Sequence, residues 1–197
     1  MSKLLVRNSL KKNEFLILLL HKISFNWIKT ISKKRTNIHI WVYNHKNILN
    51  LLNFLKKNSF FKIQQVVDIY GVDFLNFKSD GRFELNYVLL SLYYNTRIIV
   101  RSVINLYDIV NTTTSLFKSS GWLEREIWDM LGIFFCKHND LRRILTDYGF
   151  SGHPLRKDFP LPGYWEVSYD DRAKSVVFDL IELSQDFRIF KLKDKVW

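Results

Sequence analysis

RFELNYVLLSLYY (residues 82–94) and RIIVRSVI (residues 97–104), parted only by Asn95-Thr96, decide the fold class. In the first run Phe83, Leu85, Tyr87 and Leu89 alternate with Glu84, Asn86 and Val88. A period of two gives a strand one buried and one wetter face. The second run is rich in β-branched residues, and the two residues between them suffice only for a turn. Working outward, Lys62 to Phe77 reads as a further strand, interrupted near Gly71, and Ser79-Asp80-Gly81 as a tight turn, because Asp-Gly tolerates positive φ. Ile38 to Tyr43 (IHIWVY) is another β-branched and aromatic run.

Between these strands Ile48, Leu51, Leu52 and Leu55 follow the i, i+3, i+4, i+7 rule, so Ile48 to Lys57 is expected to be a helix. Asn44 and Asn47 are candidate caps, and Lys56 and Lys57 suit its negative C-terminal end. Glu14 to Ile31 also shows helical spacing, with Phe15, Leu18, Leu19, Ile23, Trp27 and Ile31 on one side and lysines on the other. Thr112 to Lys118 reads as a short helix and Trp122 to Leu131 as a longer one stopped by Gly132, with Arg125 and Asp129 spaced for an i, i+4 pair. Asp140 to Leu145 is compatible with one further turn. These elements predict an α+β fold: a small, mostly antiparallel sheet with helices on one face, then a helix–loop segment and an extended C-terminal tail. The expected organisation is a basic, helical N-terminal extension (1–37), an α+β domain (38–146), and an extended loop and tail (147–197).

Composition narrows the function classes. With 47% hydrophobic and 16% aromatic residues the chain is too apolar to be globally disordered. Cys136 is the only cysteine, which excludes an internal disulfide and any four-cysteine zinc or iron–sulfur site. FLILLL (15–20) is far short of the roughly 20 apolar residues that span a bilayer. The net charge of +11 sits in the N-terminal third, where residues 1–62 hold 13 Lys/Arg and a single acid, Glu14. Such a region can meet RNA, an anionic surface or an acidic protein, so an organellar RNA-binding or ribosomal protein is the rival reading. Residues 1–35 are basic and acid-poor like a targeting peptide but lack a small-residue cleavage site, which favours a structural amphipathic helix. Alanine occurs once, at Ala173, while Phe, Lys, Asn, Ile and Leu abound. That bias points to an AT-rich coding genome such as an organelle's.

The chemistry-bearing residues crowd into Trp122 to Tyr164, WLEREIWDMLGIFFCKHNDLRRILTDYGFSGHPLRKDFPLPGY. Glu124, Glu126 and Asp129 are acid/base groups by type, with Glu126 and Asp129 three apart, but no nucleophile–base motif accompanies them. A hydrolase built on that pair is the weakest reading. His138, Asp140, His153 and Asp158 are metal ligands by type at spacings that match no zinc pattern. Arg142, Arg143, Arg156 and Lys157 interleave with aromatics, yet Asp140, Asp147 and Asp158 balance them. Both signs mixed with aromatics suit a protein–protein contact better than a nucleic-acid surface.

The spacing Glu124-Arg125-Glu126, Asp129-Met130-Leu131, His138, Arg142-Arg143-Ile144-Leu145 resembles the signature of the 30 kDa subunit of respiratory complex I, called subunit 9 of NADH dehydrogenase when encoded in mitochondria. TDYGFSGHPLRKDFPLPGYWEVSYD (146–170) is similar to that family as well. The resemblance implies a non-catalytic core subunit of the hydrophilic arm of NADH:ubiquinone oxidoreductase, on the matrix side of the mitochondrial inner membrane and mitochondrially encoded. It implies no cofactor in this chain, with flavin and iron–sulfur clusters in partner subunits. It also implies a scaffold for the quinone-reducing 49 kDa subunit, peripheral to the membrane, with the C-terminal tail running over that neighbour. On this resemblance Glu124, Arg125, Glu126 and Asp129 fix the helix and its contacts, and His138 belongs to the same subunit-interface or structural motif. Arg142, Arg143, His153, Arg156, Lys157 and Asp158 hold the ordered loop and interface, and none is catalytic.

Overall fold

A computed structural model describes residues 14–22, 26–34, 37–75, 81–185 and 187–188. Residues 14–22 are helical (α1), and the chain then forms β1 (Ile28–Lys34), β2 (Asn37–Val42), α2 (Ile48–Lys57), β3 (Gln65–Asp73), β4 (Phe83–Ser91), β5 (Thr96–Ile104), β6 (Ile109–Asn111), α3 (Ser120–Leu131), β7 (Phe134–Cys136), β8 (Trp165–Asp170) and β9 (Ser175–Leu180). The expected Ser79-Asp80-Gly81 turn lies partly outside the described residues, which resume at Gly81. Two compact units result, residues 1–158 and 159–197.

In the first unit five strands form one sheet in the order β1-β2-β5-β4-β3. β4 pairs antiparallel with both β3 and β5, and β1 with β2, while β2 and β5 run parallel. The sheet is therefore mixed and mostly antiparallel, and the α+β expectation holds. The register places Ile40, Val100, Tyr87 and Ile69 in one row across four strands, and Ile38, Ile98, Leu89 and Val66 in the next. All eight are buried and share one hydrophobic cluster with Leu16 and Leu20 of α1, Ile48, Leu51, Leu52 and Leu55 of α2, and Ile127 and Leu131 of α3. The period-two pattern of β4 and the 3.6 pattern of α2 thus converge on a single core.

Three helical expectations give way. The spacing that suggests a helix through Ile31 is helical over residues 14–22, but residues 26–27 form a turn and Ile28–Lys34 is a strand whose Ile31 faces Ile40 of β2. Residues 28–31 contain β-branched Ile28, Thr30 and Ile31, and the free edge of β2 offers a ladder that outweighs local propensity. Residues 112–118 form turns rather than a helix, because Thr112 and Thr113 spend their hydroxyls on a buried carboxylate. Asp140 to Leu145 likewise forms no helical turn.

Gly71 of β3 sits under α3, and a Cβ there would overlap Leu131 Cδ1, itself buried. Gly71→Ala is expected to cost about 1–3 kcal/mol by forcing Leu131 from its place. Urea unfolding of the single variant and of Gly71→Ala/Leu131→Ala checks this. Close contact requires the second change to add less than it does alone.

The second unit is dominated by the β8–β9 hairpin, which the sequence reading described only as an extended tail. Its register is Trp165 opposite Leu180, Val167 opposite Phe178 and Tyr169 opposite Val176. Facing residues share a side of a ribbon, so these six form one apolar stripe, and all are exposed. Glu166, Ser168, Asp170, Ser175, Val177 and Asp179 take the other side.

Candidate functional site: a clamp at the end of α3

A helix ends with four carbonyls that lack intrahelical partners. At the end of α3 each of residues 129–132 finds a donor in the loop 153–156. The Asp129 carbonyl accepts from His153 Nδ1 at 2.9 Å, Met130 O from the Leu155 N–H at 3.1 Å, Leu131 O from Arg156 Nε at 2.6 Å, and Gly132 O from Arg156 Nη2 at 3.5 Å. Gly132 itself is left-handed, φ 75°, and its N–H returns to Trp128 O at 2.9 Å. His153 must carry its proton on Nδ1 to donate, and its ring meets Trp128 edge-on at 6.4 Å. Burial lowers the pKa of His153, with its bond to Asp129 O opposing. Burial also lowers the Arg156 guanidinium below its ordinary value.

The Asp129 side chain is the second half of the clamp. It is fully buried and accepts five hydrogen bonds: from the N–H groups of Ile144, Leu145 and Thr146 at 2.8–3.1 Å, from Thr146 Oγ1 at 2.6 Å and from Arg143 Nη1 at 3.0 Å. Burial alone would raise its pKa, but the bonds from Thr146, Leu145 and Ile144 outweigh it and hold it down to about 2. Arg143 also donates to Gly152 O at 2.9 Å and lies over Trp128 and Phe150. The i, i+4 pair expected between Arg125 and Asp129 does not form. Arg125 Nε donates to Arg142 O at 3.0 Å, and its guanidinium stacks on Trp122 at 5.0 Å.

Four further residues close the loop onto the sheet. Asp73 at the end of β3 takes Arg82 Nε and Nη2 at 3.1 and 2.9 Å and the Lys157 N–H at 2.9 Å, and Arg82 Nη2 reaches Asp158 at 2.9 Å. Burial opposes ionisation of Asp73, but Arg82 prevails and its carboxyl is lowered; Asp158 is lowered chiefly by the same guanidinium. Near the start of α3, buried Glu124 accepts from Thr113 N–H and Oγ1 at 2.7 and 2.6 Å and from Thr112 Oγ1, with His138 Nε2 3.9 Å away. His138 instead bonds Gly121 O at 3.2 Å and accepts the Asp140 N–H at Nδ1. Tyr87 points its buried hydroxyl into this core, its pKa raised by burial and then by the charge of Glu124.

The signature residues therefore divide. Glu124, Arg125, Asp129, His138, Arg143, His153 and Arg156, together with Asp158 through Arg82, make contacts inside the chain. Glu126 is exposed and makes no side-chain bond among the described residues, Arg142 pairs with Asp140 on the surface at 3.0 Å, and the Lys157 side chain is exposed. No group of three or more His, Cys, Asp or Glu among the described residues could hold a metal ion. Glu126 and Asp129 make no acid/base pair, since every donor around Asp129 favours its charged form. Asp73, Arg82, Thr112, Thr113 and Thr146 are partners that sequence reasoning missed. The Thr112-Thr113-Thr114 run was the available signal for two of them.

Fold and clamp together define an α+β sheet domain whose densest polar motif fastens its own loop. Residues 41–165 match the family described as "Respiratory-chain NADH dehydrogenase, 30 Kd subunit". The chain is 48% identical over 172 residues to "NADH-ubiquinone oxidoreductase subunit 9" of Dictyostelium citrinum, covering 86% of this chain and 81% of that protein. It is 48% identical over 164 residues to "NADH dehydrogenase [ubiquinone] iron-sulfur protein 3" of Solanum tuberosum, covering 83% and 85%. The chain belongs to the 30 kDa subunit family of the respiratory-chain NADH dehydrogenase, complex I. Its fold also resembles a chain from the archaeal membrane-bound sulfane sulfur reductase, with TM-score 0.63 at 22% identity over 77% of this chain and 86% of that one. The potato relative's name includes the term iron–sulfur, yet a four-cysteine cluster would need three cysteines beyond Cys136, which this sequence lacks.

Proposed function

We propose that this chain is a non-catalytic scaffold in the hydrophilic arm of mitochondrial NADH:ubiquinone oxidoreductase, on the matrix side of the inner membrane. It supports electron transfer from NADH to ubiquinone while flavin and iron–sulfur clusters reside in partner subunits. Its principal neighbour is the quinone-reducing 49 kDa subunit, with residues 147–197 docking on it. The basic segment 1–37 makes further contacts within the assembly, and the gene lies in the mitochondrial genome.

The observation that carries this reading is the hairpin stripe of Trp165, Val167, Tyr169, Val176, Phe178 and Leu180, every member more than half exposed. A two-stranded hairpin is marginal in water by itself, and an exposed apolar patch of this kind marks a surface made for a partner. In a family of complex subunits, the fitting partner is a neighbouring subunit. Glu126, Arg142 and Lys157, the signature side chains not consumed by the clamp, supply polar contacts at the same assembly.

The test is native-gel separation of mild-detergent mitochondrial extracts, probing for this chain beside an NADH dehydrogenase activity stain. Co-migration with the active high-mass band is expected. Val167→Ser/Phe178→Ser should shift much of the chain out of that band, since burial of each side chain contributes about 1.5–3 kcal/mol. Migration of the wild type with ribosomes, together with steeply salt-dependent RNA binding, would favour the nucleic-acid reading instead.

A further inference from the structure

A cavity of about 750 Å³ opens beside the first half of α3, away from the clamp at its other end. Its wall carries four cations, Lys118, Arg125, Lys137 and Arg142, against one carboxylate, Asp140. Asp140 is taken up by Arg142 at 3.0 Å, and among the described residues no carboxylate pairs with Lys118, Arg125 or Lys137. Glu124 lies behind the wall, but it is fully buried and its oxygens are occupied by Thr112 and Thr113.

Two features make this more than a solvated basic face. Arg125 is fixed before any ligand arrives, held by the Arg142 carbonyl and stacked on Trp122, which is 67% exposed. A guanidinium already ordered loses little freedom on binding. Lys137 holds a left-handed backbone, φ 63°, between Cys136, whose carbonyl accepts the Thr112 N–H, and His138, whose Nδ1 accepts the Asp140 N–H. A lysine in that conformation is strained, and the surrounding bonds impose it.

We propose that this cavity receives an acidic segment of a partner subunit, its carboxylates meeting Lys118 and Lys137 and an apolar side chain lying against Trp122; the proposal rests on the subunit reading above. The charge chooses an anion. The lining chooses a peptide, because it sets Lys118 and Lys137 in one cavity with the exposed indole of Trp122. A segment that carries both carboxylates and an apolar side chain uses both features, whereas a bare phosphate uses only the cations. An exposed Trp beside an ordered Arg is the composition of an interface anchor.

The experiment is carbodiimide cross-linking of the native assembly that holds the chain, followed by mass spectrometry. The reagent joins a lysine amine to a carboxylate only when the two touch. Links from Lys118 or Lys137 to an Asp/Glu-rich stretch of another subunit are expected, and Lys118→Gln/Lys137→Gln should abolish them and release the chain at lower salt. Lys118→Arg/Lys137→Arg should keep the wild-type salt tolerance. Ready acetylation of both lysines in the intact assembly with no cross-link would overturn the proposal, as would links to a second copy of this chain. Protection from acetylation by inorganic phosphate without a cross-link would make it a small-anion site and overturn it too. The native gel reports separately whether the assembly is the NADH dehydrogenase, so failure of the subunit reading and failure of the cavity reading give different results.

Discussion

Asp129→Asn is expected to destabilise the chain by about 3–5 kcal/mol, because it leaves Arg143 without its carboxylate in a largely buried site. An amide also presents an NH₂ to a pocket whose groups all donate to the carboxylate, three backbone N–H groups, a hydroxyl and a guanidinium, of which the Thr146 hydroxyl alone can also accept. The side chain is isosteric, so the effect separates hydrogen bonding from packing. Urea unfolding should show a lower midpoint at unchanged slope. Acid supplies a second readout. The folded pKa of about 2 lies below the ordinary 3.8, so the group stabilises the fold above pH 3.8 and loses that contribution as pH falls toward 2. The difference corresponds to about 2 kcal/mol. Asp73 and Asp158 are lowered in the same direction, so the wild type weakens in this window through several groups, and the Asn variant should weaken less steeply. An Asn variant of wild-type stability and wild-type acid sensitivity would mean that Asp129 does not hold the loop.

The parts of the fold visible in the sequence are those where a local pattern and the tertiary result agree. Alternation in 83–89 and helical spacing in 48–55 each point at the core they enter. The helix misread through Ile31 shows the opposite case: its apolar spacing was consistent with 3.6, and only the vacant edge of β2 makes it a strand. The hairpin was concealed differently. Trp165, Val167 and Tyr169 alternate with Glu166, Ser168 and Asp170, but the connecting residues Asp171-Arg172-Ala173-Lys174 contain no Gly or Asn to announce a turn. Lys174 supplies the left-handed position, φ 49°, that glycine would ordinarily mark.

The clamp was legible as a motif and not as a mechanism. Asp129 and Arg143 stand fourteen residues apart, and Asp73 meets the Lys157 N–H across eighty-four. No periodicity reports contacts of that range. In the sequence Arg142 and Arg143 share one role, whereas in the fold the first faces solvent and the second is enclosed by Trp128, Phe150 and Gly152. Adjacent residues on an irregular segment point in unlike directions, so charge counting alone could not separate them.

Gly132→Ala should rival Asp129→Asn in cost. Alanine at φ 75° forfeits roughly 1–2 kcal/mol for the left-handed conformation. The added Cβ would also overlap Arg156 Nη2 and lie 2.5 Å from His153 Nε2. Both side chains must withdraw, and the carbonyls of Asp129 and Leu131 lose their donors at the end of α3. A charged hydrogen bond contributes about 1.5–3 kcal/mol, which brings the expected loss to about 3–5 kcal/mol. Gly149 provides the control, since it has the same φ of 75° but nothing within 4 Å of a Cβ. Gly149→Ala therefore carries only the backbone part, and the difference between the two urea midpoints isolates the clamp. A cycle with Arg156→Ala sharpens it: once Arg156 is gone, the alanine at 132 has less to displace, so the two losses must fall short of their sum. Equal effects of Gly132→Ala and Gly149→Ala would show that the 153–156 loop can leave the helix end without consequence. The carbonyl caps would then follow the loop rather than hold it.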